Sequence, residues 1–247
     1  MKRTKKNNII PLTSLYLNYI FSKTTLIILG ISLLLMVLAL VFISNPSMSE
    51  AEYLLGSDEV HNNYFRLAGF IIQVFNSIII STIIITVIIN SVSFDSLFIA
   101  DNKRYVICIS KLLSIFIIMT LITIFEVIIL YLIPLIHFPL YKPELKDYLL
   151  ILYLLIIDFV EITLSILLST ILGTIFIPMG ILFISIIIKI ICQSILTFKT
   201  MISIFIPIIE VEGGGLVASG AGVGLIWIVL FTFLYFSVYN IRDLKQM

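Results

Sequence analysis

The chain contains few charged residues for its length. Only 12% of its 247 residues are charged and 61% are hydrophobic, whereas a soluble domain keeps about a quarter of its residues charged. So few polar groups cannot cover the surface of a chain of this size in water, which excludes a soluble globular protein. We therefore expect an all-α integral membrane protein.

Residues that serve catalysis or metal binding are also scarce. The two histidines, His61 and His137, lie in predicted loops, and Cys108 and Cys192 form neither a zinc-binding nor a redox spacing. The chain has no HExxH sequence, and the glycines at 213–215 lack the Lys-Ser/Thr of a phosphate-binding loop. We expect no enzyme activity, no cofactor and no metal site in this chain.

Long apolar runs dominate the rest of the sequence. A helix needs roughly 20 apolar residues to cross a bilayer, and in hydrocarbon a helix satisfies its own backbone hydrogen bonds. Residues 1–247 are therefore expected to form a single transmembrane domain. Its six predicted spans cover about 25–43, 67–92, 111–133, 148–172, 175–196 and 224–241.

The distribution of Lys and Arg predicts the orientation of these spans, because cytoplasmic loops carry an excess of positive charge. With the N-terminus inside, the inner segments hold ten basic residues and the outer segments four. The inner set is Lys2, Arg3, Lys5, Lys6, Lys23, Lys103, Arg104, Lys111, Arg242 and Lys245. The outer set is Arg66, Lys142, Lys146 and Lys199. Both termini are expected to be cytoplasmic, and the net charge of +1 gives no basis for nucleic-acid binding.

Two segments outside the spans have distinctive patterns. Within residues 9–24 an apolar face recurs at helical spacing, which is typical of a helix lying in the membrane interface or of an extension of the first span. Residues 197–223 are rich in glycine and too polar to span, yet apolar enough to enter the outer leaflet. We expect a re-entrant segment there, before the last span.

Residues 94–111, FDSLFIADNKRYVICISK, interrupt the apolar runs on the predicted inner side. We call them the docking segment. Phe94, Leu97 and Phe98 would form one apolar face of a short helix that ends at Asp101. An ordinary polar loop is the alternative, but it has little reason to retain these apolar side chains. The pattern favours docking into a groove on another protein.

The docking segment resembles the inner loop of type-2 ABC exporter permeases, which often reads GTLexLlxxPxsrxxixxsK. Here SFDSLFIADNKRYVICISKLL aligns with it. Ser96-Leu97 stand at the Thr-Leu position of the family pattern, and Lys103-Arg104 replace its Pro-Ser-Arg. Ser110-Lys111 match the Ser-Lys that ends the pattern. The family's glycine and proline are absent here. The expected architecture of the chain is also similar to that of the family. The shared features are the length, the six spans, the inner termini, the amphipathic helix before the first span and the re-entrant segment before the last.

The resemblance implies that the docking segment is a coupling helix bound by a separate cytosolic ABC ATPase. ATP and Mg²⁺ would then be bound by that partner, and a second permease copy or a paralogue would complete the assembly in a bacterial cytoplasmic membrane. The residues expected to dock the ATPase are Phe94, Asp95, Leu97, Phe98, Asp101, Lys103 and Arg104.

Four ionisable residues, Glu126, Asp158, Glu161 and Lys189, fall within the predicted spans. A charge at the bilayer centre costs at least a few kcal/mol, so such residues usually face the protein interior and pair. Lys189 is expected to pair with Asp158 or Glu126. The group either lines a substrate path or locks the third, fourth and fifth spans together.

The leading interpretation is the permease subunit of an ATP-driven exporter of an amphipathic substrate, such as a peptide toxin, an antimicrobial or a lipid. Exporters of phenol-soluble modulins are a similar subgroup in size and isoleucine content. The alternative is a bacteriocin-immunity or scaffold protein that transports nothing. Co-purification of a soluble ATPase with this chain would support the exporter, and its absence would support the alternative.

Overall fold

The computed structural model describes residues 9–44, 57–101, 103–137, 145–172, 176–194, 211–212, 215–216 and 219–241. These residues form seven α-helices and one minimal antiparallel pairing. The helices are α1 (Ile9–Ile20), α2 (Lys23–Ser44), α3 (Ser57–Asp101), α4 (Arg104–His137), α5 (Leu145–Leu172), α6 (Ile177–Ser194) and α7 (Ser219–Ile241). The pairing joins β1 (Val211–Glu212) to β2 (Gly215–Leu216).

Five helices are long and apolar enough to cross a membrane, which is compatible with a multi-pass membrane protein. Their spanning parts are Lys23–Ser44, Leu67–Ile89, Arg104–Ile133, Tyr153–Leu172 and Gly222–Ile241. The fifth predicted span, 175–196, corresponds to α6, whose described apolar part, Ile177–Ile188, is shorter than those five helices.

The segment before the first span forms a separate helix. Helix α1 ends at Ile20, and α2 begins at Lys23, where the Ser22 side chain caps it through bonds to the Thr25 hydroxyl (2.8 Å) and amide (3.4 Å). The predicted apolar face of α1 is covered by protein, since Leu12, Tyr16 and Ile20 belong to the core cluster shared with α4. Residues 9–24 therefore do not simply extend the first span.

Helix α3 is far longer than its apolar part. Its 45 residues extend about 67 Å at 1.5 Å per residue, more than twice the hydrocarbon thickness of a bilayer. The predicted docking helix is thus the continuous end of α3 and not a separate short helix. Helix α4 starts at Arg104, three residues after α3 ends and seven residues before the predicted start of the third span.

The core lies around α3, α4 and α5, which contact one another. One cluster packs the start of α4 against the end of α5, including Ile107, Ile115 and Ile166, and adds Tyr235 and Tyr239 of α7. A second cluster packs Leu130 near the end of α4 against Leu154 near the start of α5. Helices α4 and α5 are therefore antiparallel, and the stacked rings of Phe116 and Phe159, 4.3 Å apart, lie between them.

The predicted re-entrant segment, 197–223, lies mostly outside the described residues. Of its described part, β2 contacts α5, and residues 219–223 belong to the first turns of α7. Helix α7 therefore begins five residues before the span predicted at 224.

Candidate functional site

A buried polar network joins four helices in the middle of the bundle. We call it the carboxylate network. It consists of Asn76 and Ser77 of α3, Glu126 of α4, Asp158 and Glu161 of α5, and Ser185 of α6. Three of the four ionisable residues predicted within the spans therefore come together, each less than a tenth exposed.

Asn76 bridges two carboxyl groups. Its Nδ2 atom donates hydrogen bonds to Glu126 Oε2 at 3.1 Å and to Asp158 Oδ2 at 2.9 Å. Since both oxygens bond one nitrogen, they lie within about 6 Å of each other. All three side chains are almost completely buried, at 0% exposure for Asn76 and Glu126 and 1% for Asp158. An amide has two N–H bonds, so it can serve both acceptors at once.

Glu161 lies one helical turn from Asp158 and binds two hydroxyl groups. Ser77 Oγ donates to Glu161 Oε2 at 2.9 Å, and Ser185 Oγ donates to the same oxygen at 3.1 Å. The Gln73 carbonyl within α3 lies 3.1 Å from Ser77 Oγ and shares its one proton with Glu161. Glu161 thereby connects α5 to both α3 and α6.

The polar residues of α3 were not predicted from the sequence. Gln73, Asn76, Ser77 and Ser81 lie on one helical face at spacings of three, four and eight, and all are buried. Ser81 Oγ donates to the Pro178 carbonyl of α6 at 3.0 Å. The signal that could have revealed them is this i, i+3, i+4 run of polar residues within an otherwise apolar span.

Comparisons with family models, with curated proteins and with solved structures found no match.

The network offers hydrogen-bond acceptors to the protein interior. Asn76 Oδ1 and Glu126 Oε1 are buried and have no hydrogen-bond partner within the described residues. Among those residues no group of three metal-ligating side chains occurs. Carboxyl oxygens held by neutral amide and hydroxyl donors can cross-link helices, and they can also bind a donor group that enters the bundle.

The remaining predicted site residues are only partly described. Lys189 belongs to α6, one helical turn after Ser185, but its side chain lies outside the described part, so its predicted pairing stays a prediction. The same holds for the side chains of Phe94, Asp95, Leu97, Phe98 and Asp101, whose backbone forms the end of α3.

The two basic residues of the docking segment differ in their surroundings. Lys103 is exposed, and its Nζ lies 5.6 Å from the Tyr105 ring centroid. Arg104 Nη1 donates a 2.8 Å hydrogen bond to the Asn240 carbonyl of α7. Arg104 therefore connects the start of α4 to the end of α7. The sequence predicted only a docking role for Arg104 and not this contact.

Proposed function

We propose that this chain is the permease subunit of an ATP-driven exporter, with a separate cytosolic ATPase that docks on residues 94–104. The observation that carries the proposal is the end of α3. It continues as helix for twelve residues beyond Ile89, about 18 Å at 1.5 Å per residue, before α4 begins at Arg104. At helical spacing Phe94, Leu97 and Phe98 fall on one face of this helix end, and such an apolar face suits a groove on a partner.

The helix directions support the proposed six crossings. Helices α4 and α5 are antiparallel, so α5 ends at the end of the bundle where α4 starts. Helix α7 ends there too, because Arg104 binds the Asn240 carbonyl. The chain between α5 and α7 must then return to the opposite end before α7 starts.

The contacts of α6 support it as the helix that makes this crossing. Ser81 of α3 bonds Pro178, and Ser77, one turn earlier in α3, bonds Ser185, later in α6. Helix α6 thus runs antiparallel to α3. Together with the predicted excess of Lys and Arg inside, this arrangement supports the proposal that both termini and the docking segment are cytoplasmic.

The carboxylate network supports a path for a polar or cationic part of an amphipathic substrate. A scaffold that only fills the membrane has no need to bury three carboxyl groups, since each costs a few kcal/mol in hydrocarbon. The structural alternative is that the network only holds α3–α6 together. Glu126→Gln, which keeps the shape of a network residue, decides between them when export is measured separately from protein level: full export per assembled molecule contradicts the path.

Purification of the tagged chain from its own membranes tests the proposed function. We expect a soluble ATPase to co-purify with the wild-type chain. Its size should be about 30 kDa, which is ordinary for a protein of one or two domains. The variant Phe94→Glu/Leu97→Glu should lose it, because two charges cannot enter an apolar groove without a large desolvation cost. Ser96→Glu, on the opposite helical face, is the matched control and should retain the ATPase.

Absence of any ATPase from the wild-type preparation would contradict the proposal. So would equal retention by the double variant and the control. Either result favours the alternative, a membrane protein that protects or scaffolds without transport.

A further inference from the structure

Lys111 is a buried cation held between two aromatic rings. It is 8% exposed, and its Nζ lies 5.7 Å from the centroid of the Tyr16 ring in α1 and 5.4 Å from that of Tyr239 in α7. Both distances are within the range at which a cation is attracted to a ring face. One side chain of α4 therefore binds both α1 and α7. We call these three residues the Lys111 clamp.

Two further bonds connect the same helices near the clamp. Ser110 Oγ donates to the Ile9 carbonyl of α1 at 3.2 Å, and Arg104 Nη1 donates to the Asn240 carbonyl of α7 at 2.8 Å. The first two turns of α4 thus hold the start of α1 and the end of α7. These turns begin three residues after α3 ends at Asp101, so Lys111, the last residue of the docking segment, lies directly after the proposed docking residues 94–104.

We propose that Lys111 is a positioning residue that holds α1 and α7 against α4, so that both helices follow movement of the turn between α3 and α4. The clamp itself follows from the contacts. Its part in transport rests on the proposed function, because only a docked ATPase would move that turn.

The clamp has a built-in reporter in Cys108. This residue is completely buried, lies one turn before Lys111 on α4, and packs in the cluster that contains Tyr16 and Tyr239. Because Cys108 is completely buried in this cluster, a thiol reagent can reach it only when the packing around it opens. A faster rate of Cys108 labelling after a change in the clamp therefore measures how much the clamp keeps this packing closed, since local opening precedes the reaction.

The experiment labels the full-length chain, reconstituted in lipid, with a membrane-permeant maleimide in a Cys192→Ser background. Lys111→Met keeps the apolar stem but removes the cation, so we expect labelling to accelerate on the order of ten-fold. Lys111→Arg retains a cation that stacks on aromatic rings and should stay close to the wild-type rate.

Lys103→Met is the matched control. It removes a cation–ring contact of similar length, 5.6 Å to Tyr105, but an exposed one outside the clamp, and it should leave Cys108 protected. Equal labelling of Lys111→Met and wild type would overturn the clamp, and so would equal acceleration by Lys103→Met.

If Lys111→Met does not accumulate, Tyr16→Leu replaces it. This variant removes one ring and should accelerate labelling several-fold, whereas Tyr16→Phe retains the ring and should not. Equal rates for these two variants would overturn the clamp as well.

The positioning role is tested in the complex with the co-purified ATPase, as export of a fluorescently labelled amphipathic helical peptide per ATP hydrolysed. Lys111→Met should lower this ratio while ATPase binding persists, and Lys111→Arg should restore it. An unchanged ratio would overturn the positioning role. Failure to find any ATPase would instead contradict the proposed function and leave the labelling result standing as evidence on the clamp.

Discussion

Asn76 donates a 2.9 Å hydrogen bond to Asp158, which lies 82 positions later in the chain. The same amide nitrogen bonds Glu126, so one neutral side chain of α3 holds carboxyl groups from α4 and α5. All three side chains are almost completely buried, so bulk water does not compete for these hydrogen bonds. The stability of the three-helix core should depend on it.

Removal of the Asn76 amide should destabilise the protein. In Asn76→Ala both carboxyl groups lose this donor, and we expect the free energy of unfolding to fall by about 2 kcal/mol, because hydrogen bonds within membranes contribute roughly 0.6–2 kcal/mol each. Thermal unfolding in detergent measures the change. Asn18→Ala, at an exposed position of α1, is the control and should unfold like wild type; equal melting temperatures for the two variants would contradict the prediction.

Neutralising Glu126 without changing its shape should not destabilise the protein. Glu126→Gln keeps an acceptor for Asn76 and removes one of two carboxyl groups that lie within about 6 Å, which removes the cost of burying an ionisable group there and any repulsion from Asp158. We expect an equal or higher melting temperature. Glu126→Ala should lower the free energy of unfolding by about 2–3 kcal/mol, since it leaves a cavity and removes the acceptor. Equal losses in both variants would show that the charge itself is required.

The two hydroxyl donors to Glu161 should substitute for each other. Ser77→Ala and Ser185→Ala each remove one bond to Oε2 and leave the other, so each should cost less than about 1 kcal/mol. The double variant loses both hydroxyl donors and should cost more than the two single changes together. A double-mutant cycle on unfolding in lipid or detergent measures this coupling. Strict additivity would mean that the hydroxyls do not share the carboxyl group.

The crossing by α6 can be tested with reporter fusions. A phosphatase that is active only outside the cytoplasm, fused after residue 174, should be inactive, and the same enzyme fused after residue 212 should be active, because the proposed crossing by α6 lies between these two positions. A fluorescent protein that folds only in the cytoplasm should give the opposite result. Identical behaviour at both positions would show that the chain does not cross there.

Much of the helical framework could be predicted from the sequence, because helix length in hydrocarbon depends on local apolar content. Five of the predicted spans overlap long apolar helices, and the helix predicted within residues 9–24 occurs as α1. The helix boundaries were harder to predict. Helix α3 continues through polar residues to Asp101, since nothing between Ile89 and Asp101 breaks a helix, so the docking helix is continuous with the span.

Residue chemistry alone determined that this chain suits a membrane and that Glu126, Asp158 and Glu161 would need a protected environment. A carboxyl group in hydrocarbon must find donors wherever the sequence places it. Only the tertiary structure decided which donors these are, because Asn76 and Ser185 lie far from Glu126 and Glu161 in the chain. The sequence indicated only that Lys111 belongs to the basic residues of the inner side. Its contacts with Tyr16 and Tyr239 come from the packing of α1 and α7 against α4. Such partners depend on the relative placement of helices, which local sequence patterns do not specify.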